Sequence, residues 1–123
     1  MSLEEITMDG SILNDVKKQI GIAEANTDFD KDLIININTV LFTLWQMGII
    51  KDDFSIEDNT ATWESILLNP EQIAIQAMKT WVALKTKMIF DPPTSSVLQQ
   101  AINANIDELT WRIYITENYV GEI

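Results

Sequence analysis

Cysteine and histidine are both missing from the 123 residues. Without cysteine there can be no disulfide, thiol nucleophile or thiolate zinc site. Without histidine the commonest general base and metal-ligating imidazole are gone. Enzymes built on carboxylates alone exist, so these absences argue against catalysis without excluding it. Glycine and proline are scarce, 4 and 3 residues, which leaves room for long helices and little for a turn-rich sheet. Basic residues are few as well: 8 against 19 acids give a net charge of −11. Such a surface repels nucleic acid, whose affinity for proteins rests largely on phosphate contacts. A basic signal-peptide start is lacking too, since Glu4 and Glu5 stand in its place.

What is present is an ordinary globular balance, 46% hydrophobic and 22% charged, which argues against disorder. The length suits one domain with a real core. Residues 69–96 carry the clearest punctuation. Asn69 can cap a helix, Pro70 suits its first position, and Glu71 faces the positive end of the dipole. Ile73, Ala77, Trp81, Leu84 and Met88 recur on one helical face. Pro92 and Pro93 stop the helix, and Thr94-Ser95-Ser96 starts another, with Gln99 placed to close a capping box on Ser96. Two long helices joined at a Pro-Pro corner thus form the spine.

Before the spine, Ser11 caps a short helix through Ile12, Val16 and Ile20 that Gly21 ends. Thr27 is expected to cap the next, with Asp28, Asp30 and Asp32 in its first turn. Residues 33–50 carry no charge, yet Asn36, Asn38, Thr39, Thr43 and Gln46 interrupt the run. A membrane span needs about 20 predominantly apolar residues, so this is a core helix. Its stripe is Leu33, Ile37, Val40, Leu44 and Met47; Ile35 and Phe42 project from the opposite side. A central helix packed on two sides is the preferred reading of that pair, ahead of contact with a neighbouring subunit. Residues 51–60 form a polar connector, and 62–68 one or two helical turns.

The last helix is expected from about 95 to 115, with Leu98, Ile102, Ile106, Leu109 and Ile113 as its stripe. Ala101 and Ala104 leave a second, thin face where another helix can approach closely. The fold class is therefore all-α, a single domain of four to five helices over residues 11–115. Residues 1–10 read as a disordered or cloning-derived N-terminus, and 116–123 as a flexible tail.

No constellation amounts to a catalytic, cofactor or metal site. Asp28, Asp30 and Asp32 alternate like a calcium loop, but Leu33 and Thr39 stand where glycine and a bidentate glutamate are needed, so first-turn helix acids explain them. Lys85, beside the apolar stripe, is expected to snorkel or pair with a carboxylate. Trp45, Trp63, Trp81 and Trp111 read as core, because no basic residues interleave them.

The order of features resembles a family. Leu44-Trp45-Gln46-Met47-Gly48, then Phe54-Ser55-Ile56 with Asp58 and Thr62-Trp63, then Lys85 to Phe90-Asp91-Pro92-Pro93, and finally Leu109-Thr110-Trp111-Arg112 look like head–tail connector (head-completion, or DNA-packaging adaptor) proteins of long-tailed bacteriophages and prophages. The resemblance implies a non-enzymatic structural protein without cofactors. It implies a ring of about a dozen subunits beneath the portal, extending the channel by which DNA leaves the capsid. Its partners would be itself, the portal, and the next connector or a tail protein, with DNA passing unread and no membrane involved. It would sit at the virion head–tail junction after assembly in the bacterial cytoplasm. An acidic regulatory or DNA-mimic protein acting on a host enzyme is the alternative.

Two contact expectations follow. Residues 70–90 carry Glu71, Lys79, Lys85 and Lys87, net +2 against −13 for the rest. Lys79 and Lys87 are expected on an exposed strip facing a neighbour's acids, Asp28, Asp30 and Asp32 or Asp52 and Asp53. Tyr119, Val120 and Ile123 in the tail are expected to order only against a partner.

Overall fold

The computed structural model describes residues 10–69 and 74–119, with side chains as far as Ile115. Five helices follow in order: α1 (Ile12–Ile20), α2 (Asp30–Gln46), α3 (Trp63–Ile66), α4 (Ile75–Phe90) and α5 (Ser96–Tyr119). Among the described residues there is no strand, only two isolated bridges, Ser11 with Thr62 and Ile50 with Leu67. The fold is all-α, and α4 is its axis. It packs against α1, α2 and α5, so three of its sides are covered.

Local chemistry sets most boundaries. The Ser11 hydroxyl accepts the Asn14 amide at 3.2 Å, and Gly21 closes α1 at φ 88°. Gly48 follows α2 at φ 79°, a left-handed conformation that penalises a Cβ. Thr62 caps α3 by accepting the Ser65 amide. The start of α2 differs from expectation. Phe29 is its N-cap and offers no side-chain hydrogen bond, while Thr27 contributes only its carbonyl, to the Asp30 amide. Asn26 takes the turn-forming role instead, accepting the Asp28 amide. At the corner before α5 the cap moves one residue back: Ser95 accepts the Leu98 amide at 3.4 Å, and Gln99 donates to the Pro93 carbonyl rather than boxing Ser96. Helix α4 begins at Ile75 with Ala74 as its N-cap, so Asn69 does not cap it; residues 70–73, with Pro70, Glu71 and Ile73, lie outside the described residues.

The core joins Ile12, Leu13 and Val16 of α1 with Leu33, Ile37, Val40, Leu41 and Leu44 of α2. Trp63 and Ile66 of α3, Met78, Trp81 and Val82 of α4, and Ile106 and Ile113 of α5 complete it. Trp81 is fully buried, and its indole N–H donates to Thr110 at 2.8 Å, whose own hydroxyl donates to Ile106 O at 2.7 Å. This chain of bonds lets a polar ring edge sit between α4 and α5 at little cost. Lys85 lies beside it with its ammonium 5.2 Å from the Trp81 ring centroid, the snorkelling position expected of it. Thr86 is the exception, a fully buried hydroxyl without a hydrogen-bond partner.

The polar connector is held by side chains of α2. Asn38 gives its amide N–H to Ile56 O at 3.0 Å and accepts the Ile56 amide at 2.8 Å, a two-way pairing that substitutes for a strand partner. Trp45 donates to Asp52 at 2.9 Å and lies against Phe54. Farther along, the hydroxyl and amide of Thr60 both donate to Asp58, which holds that carboxyl below its ordinary pKa. Lys51 N to Ile66 O and Leu68 N to Ile49 O fasten the connector's beginning to α3 and the residues after it.

Two expectations about the last helix are corrected. Leu98 is exposed and does not join the core stripe, because α5 there has only just left the corner and no described element lies over its first turn. The helix also runs to Tyr119 rather than ending near 115, so the first four tail residues are helical. No glycine or proline interrupts the chain until Gly121, and adding a residue to a formed helix is far easier than starting one. Val120 and Ile123 lie outside the described residues, as does the side chain of Tyr119.

Candidate functional site

Lysine placement decides what this molecule shows to its surroundings. All eight basic residues are among the described ones, and half of them are wholly or partly withdrawn from the surface. Lys17 is 1% exposed. Its ammonium donates to Glu24 O at 3.0 Å, Asn26 O at 2.7 Å and Asp30 Oδ1 at 2.8 Å. All three protons are thereby used, and the loop between α1 and α2 is tied to α1. One carboxylate of the calcium-like acidic run is thus engaged by an internal ammonium.

Lys79 is 4% exposed, which overturns its expected place on a solvent-facing strip. Its ammonium lies 3.3 Å from Asp15 Oδ2 and 5.9 Å from the Trp63 ring centroid, while the Trp63 indole donates to the same Asp15 oxygen at 2.8 Å. The physical reason is the position of α4. A single apolar stripe predicts one buried side, but this helix is covered on three, and the side carrying Lys79 faces α1 and α3. Lys87 is partly exposed and makes a loose pair with Asp91 at 3.8 Å, one turn on. Lys79 is therefore not open to a neighbour's acids, whereas Lys87 keeps part of its surface.

Lys18, Lys31, Lys51 and Arg112 are the exposed cations that remain. Around them stand Glu24, Asp28, Asp32, Asp52, Asp53, Glu57 and Asp58 on the exposed loops and the start of α2. Lys17 and Lys79 are each withdrawn together with a carboxylate partner, Asp30 and Asp15, so the net charge of −11 rests on the remaining groups. Among the described residues no group of three or more acidic side chains is placed to hold a metal ion, and no helix is long and apolar enough to cross a membrane. Among the described residues, the cleft at the foot of α1 is lined by Ile20, Ile22, Phe29, Lys87, Phe90 and Asp91, which make no set of reactive groups.

Apolar surface is the notable feature. Ile35 is 64% and Phe42 46% exposed on the outer side of α2, so the preferred reading of a helix packed on both sides fails. Among the described residues no element covers that side. Phe42 lies against Trp45, with ring centroids 5.4 Å apart, and Trp45 is itself exposed. Helix α5 repeats the situation. It rests on α4 through Ile102, Ile106, Leu109 and Ile113. Its opposite side shows Val97, Ala101, Ala104 and Trp111, the last 59% exposed and stacked on Tyr114 at 6.1 Å. Of the four tryptophans read as core, Trp63 and Trp81 are buried, whereas Trp45 and Trp111 stand on these outer faces. Two helix faces on different elements thus expose large apolar side chains, a pattern that marks interaction surfaces rather than a catalytic centre.

Comparison with known protein families gives a match, over residues 12–120, to the family described as phage connector protein. The chain belongs to this family, and its role is that of a structural head–tail connector of a phage. No curated protein and no solved structure matches it.

Proposed function

We propose that this member of the phage connector family assembles head-to-tail into a ring of about a dozen copies between portal and tail, extending the DNA exit channel. The observation that carries the reading is the pair of uncovered apolar faces, on α2 and on α5, in a connector subunit. A ring contact joins two different patches of one surface, so a subunit needs two such faces, and a monomer needs neither.

Charge supports the same reading. The exposed loops present carboxylates, among them Asp28, Asp52, Asp53, Glu57 and Asp58. A channel wall of that sign does not hold a passing phosphate backbone, so DNA slides through without being bound or read. The protein acts without catalysis and without a cofactor. Its partners are copies of itself, the portal on one side and the next connector or a tail protein on the other. Assembly takes place in the bacterial cytoplasm.

Sedimentation with the cognate portal tests the proposal. The protein should travel with the portal assembly, in a many-to-one ratio fixed by ring closure. A protein that stays at the top of the gradient, at micromolar concentration and physiological salt, refutes the portal-proximal placement.

A further inference from the structure

We infer that the outer face of α5 docks antiparallel on the outer face of α2 in the next copy, with Ala104 over Ile35 and Glu108 beside Lys31; the inference rests on the ring proposed above. The register comes from spacing. Along α5, Val97, Ala104 and Glu108 are separated by seven and four residues; along α2 in the opposite direction, Phe42, Ile35 and Lys31 are separated by the same seven and four. At 1.5 Å per residue both series step by about 10.5 and 6 Å, and both follow one side of their helix. Laid antiparallel, the two faces bring Val97 to Phe42, Ala104 to Ile35 and Glu108 to Lys31.

Size and charge agree with that alignment. Ala101 and Ala104 leave a shallow stretch on α5, and both are exposed. Ile35, the most exposed side chain of α2's large apolar residues, fits such a stretch and allows the helix axes to approach closely. Lys31 is one of four exposed cations in a chain of −11, and it stands at the end of the apolar strip rather than away from it. Glu108 marks the corresponding point on α5. Arg112 holds one oxygen of Glu108 at 2.7 Å, which leaves the second for the incoming ammonium. Three residues farther, Trp111 comes level with the neighbour's Asp28 and Phe29, the latter another exposed ring. The parallel alignment places Glu108 near Gln46 and loses the charge pair. Because the two faces differ, the contact cannot close on itself as a two-fold dimer, and it propagates from copy to copy.

The lack of native cysteine makes the contact testable by thiol trapping. Ile35→Cys and Ala104→Cys change exposed residues on separate helices, α2 and α5. After mild oxidation the double variant should give a ladder of covalent multimers ending at the size of the ring. Each single variant should stay monomeric on a non-reducing gel, and mixing the two singles should give covalent dimers only. Covalent dimers from either single variant overturn the inference, because they require like faces to meet. A double variant that gives no multimers overturns it as well. Native mass spectrometry of that same sample then separates the two claims: intact rings without cross-links refute the interface alone, and monomers refute the ring with it.

Discussion

Replacing Lys17 by methionine isolates the contribution of a buried ammonium that sequence patterning does not reveal. Methionine keeps the apolar stem in place and removes three hydrogen bonds of 2.7–3.0 Å. Bonds to a charged group are each worth roughly 1.5–3 kcal/mol. That gross loss is reduced in two ways. The desolvation cost of burying the ammonium disappears, and the abandoned acceptors can reach water, since Glu24 and Asn26 are exposed and the Asp30 side chain keeps 24% of its surface. Stranding one partner of a fully buried pair costs about 3–5 kcal/mol, so about 2–4 kcal/mol is expected here. For a domain of this size that lowers Tm by roughly 10 °C. Urea unfolding followed by circular dichroism should show a lower midpoint at unchanged slope. Asp30→Asn in the same background should recover about 1 kcal/mol by removing the stranded carboxylate. Amides of residues 21–29 should exchange faster, because the loop loses its tether. A Lys17→Met protein within about 0.5 kcal/mol of wild type means that the buried ammonium does not hold the loop.

Four further outcomes are expected. Trp81→Ala should cost about 3–5 kcal/mol, and Trp81→Phe less, since only the bond to Thr110 and part of the ring are lost; denaturant titration separates them. Thr86→Val should be neutral or stabilise by up to about 1 kcal/mol, because the buried hydroxyl it removes has no partner; a loss above about 1 kcal/mol reveals one. Gly48→Ala should cost about 1–2 kcal/mol through its φ of 79° alone, as its Cβ meets no atom within 4 Å. Phe42→Ser with Trp111→Ser should leave the monomer's Tm within a few degrees and abolish assembly in sedimentation; a large drop in Tm refutes the exposure assigned to both rings.

Much of the fold was legible because its punctuation is local. Ser11, Gly21, Gly48 and the Pro92-Pro93 corner act through their own backbones, and each stands at the boundary it predicts. Apolar spacing placed α2, α4 and α5 for the same reason. What was not legible depends on how many sides of a helix are covered. Lys79 looks solvent-facing on a helical wheel with one apolar stripe, yet α4 is enclosed by three neighbours, and Asp15 lies 64 positions away in the sequence. Lys17 gives a faint signal, as it continues the Leu13 position by one turn, but its acceptors are carbonyls that no residue type announces. Ile35 and Phe42 are the reverse case. An apolar helix reads as buried, and only the arrangement of the other helices shows that no described residue lies over them. The thin Ala101–Ala104 face was visible from spacing; its exposure, and the complementary face on α2, were not.

Mass measurement under native conditions shows whether the subunits close into a ring. The full chain is electrosprayed from volatile salt at several concentrations, alone and with its cognate portal. A ring-forming connector gives one closed species of many identical 14.0 kDa subunits, present on the portal and, above a threshold concentration, in its absence. Monomers or two-fold dimers throughout, with the portal present, contradict ring closure.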